Sequence, residues 1–360
     1  MAESLSTFEG FEGSAYGVFL NSIPYSFYQF LAIAFVFIIA FTGRHFGPML
    51  TAERRASTLG LLSRQDAHPG ETDAEAKDRE PKPDKPKRAI NAVLPIVVLV
   101  LGTFAGLYAT GQNDASAGQP LHTVIGSGDP FTAMMWASLV AVLVAGALSM
   151  GQGILTLAET ADAWFAGART MFLTIIILSL AWALADVNDP LHTGPYLTSM
   201  LSERVPPAVI PSVVFVLAAV TAFATGSSWG VMGIIMPLAV PLIWSVMLAN
   251  GLDEEGLHLV YATVAAVISG AVWGDHCSPI SDTTILSSLA SGCDHIDHVR
   301  TQIPYAVLVG AFALAAIFGA SSFGLQWWLC LLAGLILLLV WIFPVGANEG
   351  ERQRTKDKIA

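Results

Sequence analysis

Between residues 270 and 288 the chain reads Gly-Ala-Val-Trp-Gly-Asp-His-Cys-Ser-Pro-Ile-Ser-Asp-Thr-Thr-Ile-Leu-Ser-Ser. This stretch puts two carboxylates, an imidazole, a thiol, six hydroxyls and a proline inside an apolar segment of membrane grade. A bilayer core solvates neither Asp275 nor Asp282. Ionisable groups at that depth face protein or a water-filled cavity and are functional candidates. Pro279 has no N–H to give to a helix, and Gly270 and Gly274 loosen the turns before it. The segment therefore reads as an interrupted helix, which a membrane tolerates only where the freed backbone is buried in protein or lines a cavity. Such a break offers carbonyls and dipole ends to an ion, as secondary transporters do near the bilayer midplane.

The rest of the composition agrees with a membrane chain. Of 360 residues, 54% are hydrophobic and 12% charged, and the mean hydropathy is +0.61, outside the range of soluble domains. A net charge of -11, with no basic patch interleaved with aromatics, argues against a nucleic-acid partner. Cys277, Cys293 and Cys330 have neither metal nor disulfide spacing, and Cys277 and Cys330 read as small packing residues. The first basic residue is Arg44, so a secretory signal with a positive n-region is not expected.

Taken in order, residues 1–24 form an acidic leader, expected outside the cytoplasm. Residues 26–42 are long enough to cross a bilayer. The loop 43–88 carries ten of the seventeen Lys and Arg residues, is placed in the cytoplasm by the positive-inside rule, and reads as disordered over 64–88. Further spans are expected at 90–109, 131–150 and 171–185, with 152–169 as an interfacial or buried amphipathic helix. The run 208–244 is too long for one span. Gly226-Ser-Ser-Trp-Gly230 breaks it into 208–225 and 231–247, a hairpin of spans or a re-entrant pair, with Pro237 and Pro241 weakening the second piece. The broken segment 257–290 comes next, then a polar linker over 291–302, spans at 304–320 and 325–343, and a basic cytoplasmic tail over 344–360. Nine crossings carry an outside N-terminus to an inside C-terminus. The expected fold is all-α: a polytopic transmembrane helical bundle with interrupted helices. Residues 25–109 hold the first two spans and residues 131–343 the main membrane domain.

Burial disfavours the charged form of a carboxylate, so a buried Asp can exchange a proton for a cation near neutral pH. That exchange is the minimum chemistry of a cation/proton antiporter. A hard cation also wants neutral oxygens, which Ser278, Ser281, Thr283 and Thr284 supply. Asp282 has two readings, as an ion ligand and as the N-cap of the helix after the break. His276 either relays protons or donates a bond to Asp275. Ser227 and Ser228, at the other break, bring hydroxyls to a ligand or allow close helix packing. Asp186, at the end of a span, is a further candidate, and Glu159 with Asp162 make a carboxylate pair or a solvated face. Cys293-Asp-His-Ile-Asp-His298 has the look of a metal box but reads better as a polar turn at the membrane surface. No common enzyme motif occurs.

The motifs 274–284, 224–233 and 293–304, with 180–186 and 193–197, resemble the NhaC-type sodium/proton antiporter family. The resemblance covers roughly 150–305. It implies secondary transport of sodium against protons, with Asp275, Asp282 and the Ser/Thr-rich breaks lining the ion site, and no cofactor beyond the transported ions. Some members are similar to sodium- and proton-coupled exchangers of small organic acids such as malate and lactate. Members carry a further membrane half upstream with a Phe-Asp-Asp type motif that this sequence lacks. The chain is thus expected to be the C-terminal portion of an antiporter in a bacterial inner membrane. Its expected partners are the lipid bilayer and either a separate N-terminal half or a second copy. The alternatives are an organic-acid exchanger, which would need a cationic anchor that the spans do not hold, and a fragment that does not transport alone.

Overall fold

Every stretch of described backbone longer than a turn is helical, because in lipid only a helix satisfies its own backbone within one segment. The computed structural model describes residues 15–61, 64, 85, 88–112, 121–188, 206–252, 256–291 and 293–347. Its helices are α1 (Ala15–Ser22), α2 (Phe27–Thr42), α3 (Gly47–Leu59), α4 (Ile90–Gly111), α5 (Leu121–Gly126), α6 (Pro130–Gly151) and α7 (Leu157–Asn188). They continue with α8 (Ile210–Thr225), α9 (Ser228–Ala249), α10 (Leu257–Cys277), α11 (Asp282–Ala290), α12 (His295–Ser322) and α13 (Trp327–Val345). Among the described residues there is no strand; a β-bridge joins His45 to Ala347. Seven helices there are long and apolar enough to cross a membrane, or eight when the pair Gly17–Tyr25 and Phe27–Thr42, bent by 46°, is one span. The chain is an all-α, polytopic membrane protein.

Several boundaries differ from those expected. Helix α7 runs unbroken through 157–188, where an interfacial helix and a separate span were expected. It opens with a reciprocal cap: Glu159 accepts from the Thr156 N–H at 2.8 Å, and the Glu159 N–H donates to the Thr156 hydroxyl at 3.3 Å. Glu159 is thus accounted for as a capping box. Pro237 and Pro241 lie inside α9 without ending it. The polar linker expected over 291–302 is mostly the first two turns of α12, which passes through Pro304. Asp294 makes this start possible by accepting from the Asp297 N–H at 2.8 Å. The loop expected from residue 43 carries α3; residues 65–84, expected to be disordered, lie outside the described residues, as do the leader 1–14 and the tail from 348.

The chain divides into two compact units, residues 74–175 and the remainder. In the first, α4 and α6 pair through small residues: a Cβ on Gly106 would stand 2.9 Å from that of Ala133. Asp129 caps α6 by accepting from the N–H groups of Phe131 and Thr132. Bonds from the Thr132 hydroxyl and N–H hold its carboxyl below the usual carboxylate range.

In the larger unit α10 is the central post. Its Val260, Thr263, Val264, Val267 and Ala271 are fully buried. One side meets α8 at backbone distance, since a Cβ on Gly274 would lie 2.0 Å from the Ala219 carbonyl oxygen and one on Gly270 2.2 Å from that of Phe215. On another side Trp273 stacks on Phe215 and lies over Gly310 of α12. The first span is part of this core. Phe27, Tyr28, Leu31 and Phe35 of α2 form a buried stripe, while Ile33, Val36, Phe37 and Phe41 face outward, a helical period with lipid as the second solvent.

Helix α3 is fastened to the ends of α12 and α13. Arg44 donates to the carbonyls of Phe343 and Gly346 at 3.1 and 2.8 Å. Phe46 stacks on Tyr305 with ring centroids 4.2 Å apart. Arg55 pairs at 2.9 Å with Asp297, whose side chain is 7% exposed. Burying that carboxylate is tolerable only with its partner present. Arg55→Ala should lower unfolding stability by about 3 kcal/mol, and the added Asp297→Asn should recover part of it, as read by denaturation in detergent. Gly274→Ala should cost about 2 kcal/mol by overpacking, while Gly167→Ala, with open space around it, should gain about 0.5 kcal/mol from helix propensity.

Candidate functional site

Two helix breaks meet beside α10. Helix α8 ends at Thr225, Gly226 turns with φ +67°, and α9 restarts at Ser228. Helix α10 ends at Cys277 and α11 restarts at Asp282. A Cβ on Gly226 would stand 2.7 Å from the Ile280 carbonyl oxygen. The tip of one break therefore rests on the other, and both the positive φ and the close approach require glycine there. Two helix C-terminal ends and two N-terminal ends are gathered at this junction.

Asp275 sits on the last turn of α10 and is 7% exposed. Thr283 of α11 donates its hydroxyl to Asp275 Oδ2 at 3.0 Å. Ser281 and Thr283 share a hydrogen bond of 2.8 Å between their hydroxyls. The Thr283 proton is committed to the carboxylate, so Ser281 is the donor in that second bond. The result is a directed chain, Ser281 to Thr283 to Asp275, whose dipoles all point positive ends at the carboxylate and reinforce one another. Among the described residues Asp275 makes no ion pair. Ser278, fully buried, donates to the Phe223 carbonyl at 2.8 Å and so pins one break to the other. Thr284 is 2% exposed, and its Oγ1 is buried without a protein partner. A buried polar atom left over in this way calls for a ligand or water.

The remaining candidates are placed differently. His276 does not bond to Asp275; its Nδ1 shares a hydrogen bond of 2.8 Å with the hydroxyl of Tyr28 on α2. Its backbone carbonyl accepts from Gln302 Nε2 at 2.6 Å. Ser227 caps α9 by accepting from the Gly230 N–H at 3.2 Å, and Ser228 is half-buried beside it. Asp282 opens α11 and Asp186 lies near the end of α7; both side chains are outside the described residues. Cys293 is half-buried. Burial pushes its thiol up, and the carboxylates of Asp297 and Asp294 push the same way, which disfavours the thiolate a metal would need. Among the described residues no group of three His, Cys, Asp or Glu side chains could hold a metal ion.

Sequence reasoning missed Tyr28, Gln29 and Gln302. Gln29 accepts from the buried Ser269 hydroxyl of α10 at 2.8 Å. The available signal was polarity: Gln29 carries the only side-chain amide between residues 27 and 42, and polar groups inside a span seek a partner helix.

The Na+/H+ antiporter family profile matches residues 1–323. An uncharacterized protein of Haemophilus influenzae is 33% identical over 308 residues, which is 85% of this chain and 55% of that protein. The arginine/ornithine antiporter ArcD of Halobacterium salinarum is 34% identical over 149 residues, 41% of this chain and 28% of its own length. The malate-2H(+)/Na(+)-lactate antiporter of Bacillus subtilis is 33% identical over 116 residues, 32% of this chain and 22% of its own. The chain thus spans about half the length of the first of these relatives and matches smaller parts of the others. No solved structure matches.

Tyr28→Phe removes the partner of His276 Nδ1 at a position 1% exposed. Stability should fall by about 1 kcal/mol, measured by denaturation of the purified chain in detergent.

Proposed function

The chain belongs to the Na+/H+ antiporter family, and from that premise we propose that it exchanges sodium for protons across a bacterial inner membrane at the junction of the two breaks. The observation that carries the reading is Asp275: a buried carboxylate with no cationic partner among the described residues, met by a directed chain of hydroxyls where four helix ends gather. In the ionised state Asp275 and the oxygens of Ser278, Ser281, Thr283 and Thr284 offer a hard cation the donor set it prefers. Carbonyls freed at the C-terminal ends of α8 and α10 add to it. In the other state Asp275 holds a proton, and the cation leaves. The two states exclude each other, which is the coupling an exchanger requires. Asp282 contributes as a cap or a further ligand, and Ser227 and Ser228 order the facing break. Asp186, near the end of α7, is proposed as a further ligand.

Transport, and not chemistry on a bound substrate, is the activity in this reading, and it needs no cofactor beyond the ions moved. Residues 131–343 supply the transport domain, with α2 packed against α10. The N-terminal leader lies outside the cytoplasm, and the loop 43–88 and tail 344–360 lie within it. Beside the junction Trp229 and Ile280 are 70% and 58% exposed. A separate membrane half or a second copy of the chain is the partner proposed to cover them.

Organic-acid exchange is the second reading. The N-terminus of α9 reaches the same junction, and its partial positive charge suits a carboxylate; the name of the Bacillus relative points the same way. Sodium-driven proton flux in proteoliposomes decides between the readings. For sodium/proton exchange, flux should vanish in Asp275→Asn, and Thr283→Val should raise the sodium KM about fivefold, the scale of one hydrogen bond. Malate counterflow without sodium-driven proton flux would establish the second reading instead.

A further inference from the structure

Helix α11 leads away from the ion site. It has nine residues, about 13 Å of helix, or nearly half of the roughly 30 Å hydrocarbon core. Its start lies at the junction, where Thr283 holds Asp275. Its end meets the first turn of α12, to which Arg55 fastens α3. The helix therefore runs from the break toward the membrane side that carries α3.

Thr283, Ser287 and Ser291 are all exposed. They are four residues apart, so they stand one above another on one helix face. Ser291 follows the last residue of α11, and its N–H still donates to the Ser287 carbonyl at 3.1 Å, so the face continues through it. The neighbouring face is covered: Thr284 and Ser288 are 2% and 1% exposed. Exposed hydroxyls elsewhere in the spans turn back on their own helix. Thr103, Thr221 and Thr225 donate to the carbonyls four residues before them at 2.8, 2.8 and 2.9 Å. A hydroxyl in lipid needs such a bond, since no water is there to take its place. On the exposed face of α11 the pattern differs. Thr283 gives its proton to Asp275, and the hydroxyls of Ser287 and Ser291 have no partner among the described residues. Free hydroxyls at membrane depth are suited to water. This row of them ends on a buried carboxylate, beside a Thr284 Oγ1 that is itself buried without a partner.

We propose that the exposed face of α11 forms one wall of a water-filled route along which the transported cation passes between Asp275 and the membrane side that holds α3. The proposal rests on the exchange reading for the identity of the cargo, and on exposure and hydrogen bonding for the route. Thr283 is where route and site join, because it is both exposed and the donor to Asp275. The three positions of the face hold hydroxyls and no fixed charge. Their oxygens can replace part of a cation's hydration shell without trapping the ion on the way, which is what passage requires.

The test uses the full chain in proteoliposomes and a membrane-impermeant thiol reagent carrying a trimethylammonium group. The modified residue is located by peptide mass, which separates it from Cys277, Cys293 and Cys330. Two variants set the scale: Ser57→Cys, exposed on α3, marks the side, and Val220→Cys, 62% exposed on the apolar face of α8, marks lipid. Ser287→Cys should react from the same side as Ser57→Cys. Val220→Cys should react about a hundredfold more slowly than Ser287→Cys, because a thiol in apolar surroundings stays protonated and unreactive. A sulfonate reagent should lose ground to the cationic one at Ser287→Cys relative to their ratio at Ser57→Cys. Modified Ser287→Cys should lose most of its sodium-driven proton flux, measured against wild type treated in the same way. Labelling of Ser287→Cys as slow as that of Val220→Cys would overturn the proposal. So would labelling from the opposite side only, a preference for the sulfonate, or flux unchanged after complete modification. Ser291→Cys, at the mouth of the route, carries the same readouts if Ser287→Cys does not fold. A wild-type chain without sodium-driven flux would sink the exchange reading, while labelling would still decide whether this face of α11 stands in water.

Discussion

The backbone contact between α8 and α10 is what the site depends on. At Gly270 and Gly274 the two helices approach until even a methyl group would collide with a carbonyl oxygen. In lipid there is little hydrophobic gain from bringing two apolar helices together, so close van der Waals packing and hydrogen bonds must do it. That contact brings the end of α10 level with the end of α8. Gly226 then touches the Ile280 carbonyl, and Ser278 reaches the Phe223 carbonyl. The two breaks are one junction because two glycines lie one helical turn apart on α10.

Once the junction exists, the polar groups inside it have few ways to be satisfied. Each hydroxyl has one proton, and the chain from Ser281 through Thr283 uses those protons in a single direction, toward Asp275. Both hydroxyl dipoles of that chain favour a negative charge on Asp275, the charge on which the proposed cation site rests. The ring of His295 lies between the Pro279 carbonyl and the Ser288 hydroxyl, at 2.6 and 3.3 Å. The break is thus held from both ends of α11, by Thr283 at its start and by Ser288 near its end.

A third set of contacts ties the far parts of the chain to this centre. Helix α2 arrives from more than two hundred residues away in sequence and supplies Tyr28 to His276 and Gln29 to Ser269. Helix α3 comes next and is fixed by Arg44, Phe46 and Arg55 to the ends of α12 and α13. Asp297, which receives Arg55, is two residues from His295. The first turn of α12 therefore carries both the residue that holds α3 and the residue that touches the Pro279 turn.

Much of this was legible in the residues alone. The helical class followed from apolar runs of membrane length. Both breaks were readable as well, because glycine and proline act through local backbone geometry that no distant contact can undo. Asp275 stood out since an ionisable group in an apolar run needs an explanation whatever its neighbours. The early start of α12 was hidden, because Pro304 looked like a beginning and the Asp294 cap could be seen only with its N–H partner in place. The sequence by itself determined where helices form and where they must fail. Only the tertiary structure decided that the two breaks meet, that His276 turns to Tyr28 and not to Asp275, and that His295 faces Pro279 and Ser288. The physical reason is reach: backbone propensity and hydropathy are summed over a few neighbouring residues, while hydrogen-bond partners are chosen by packing between segments tens to hundreds of residues apart.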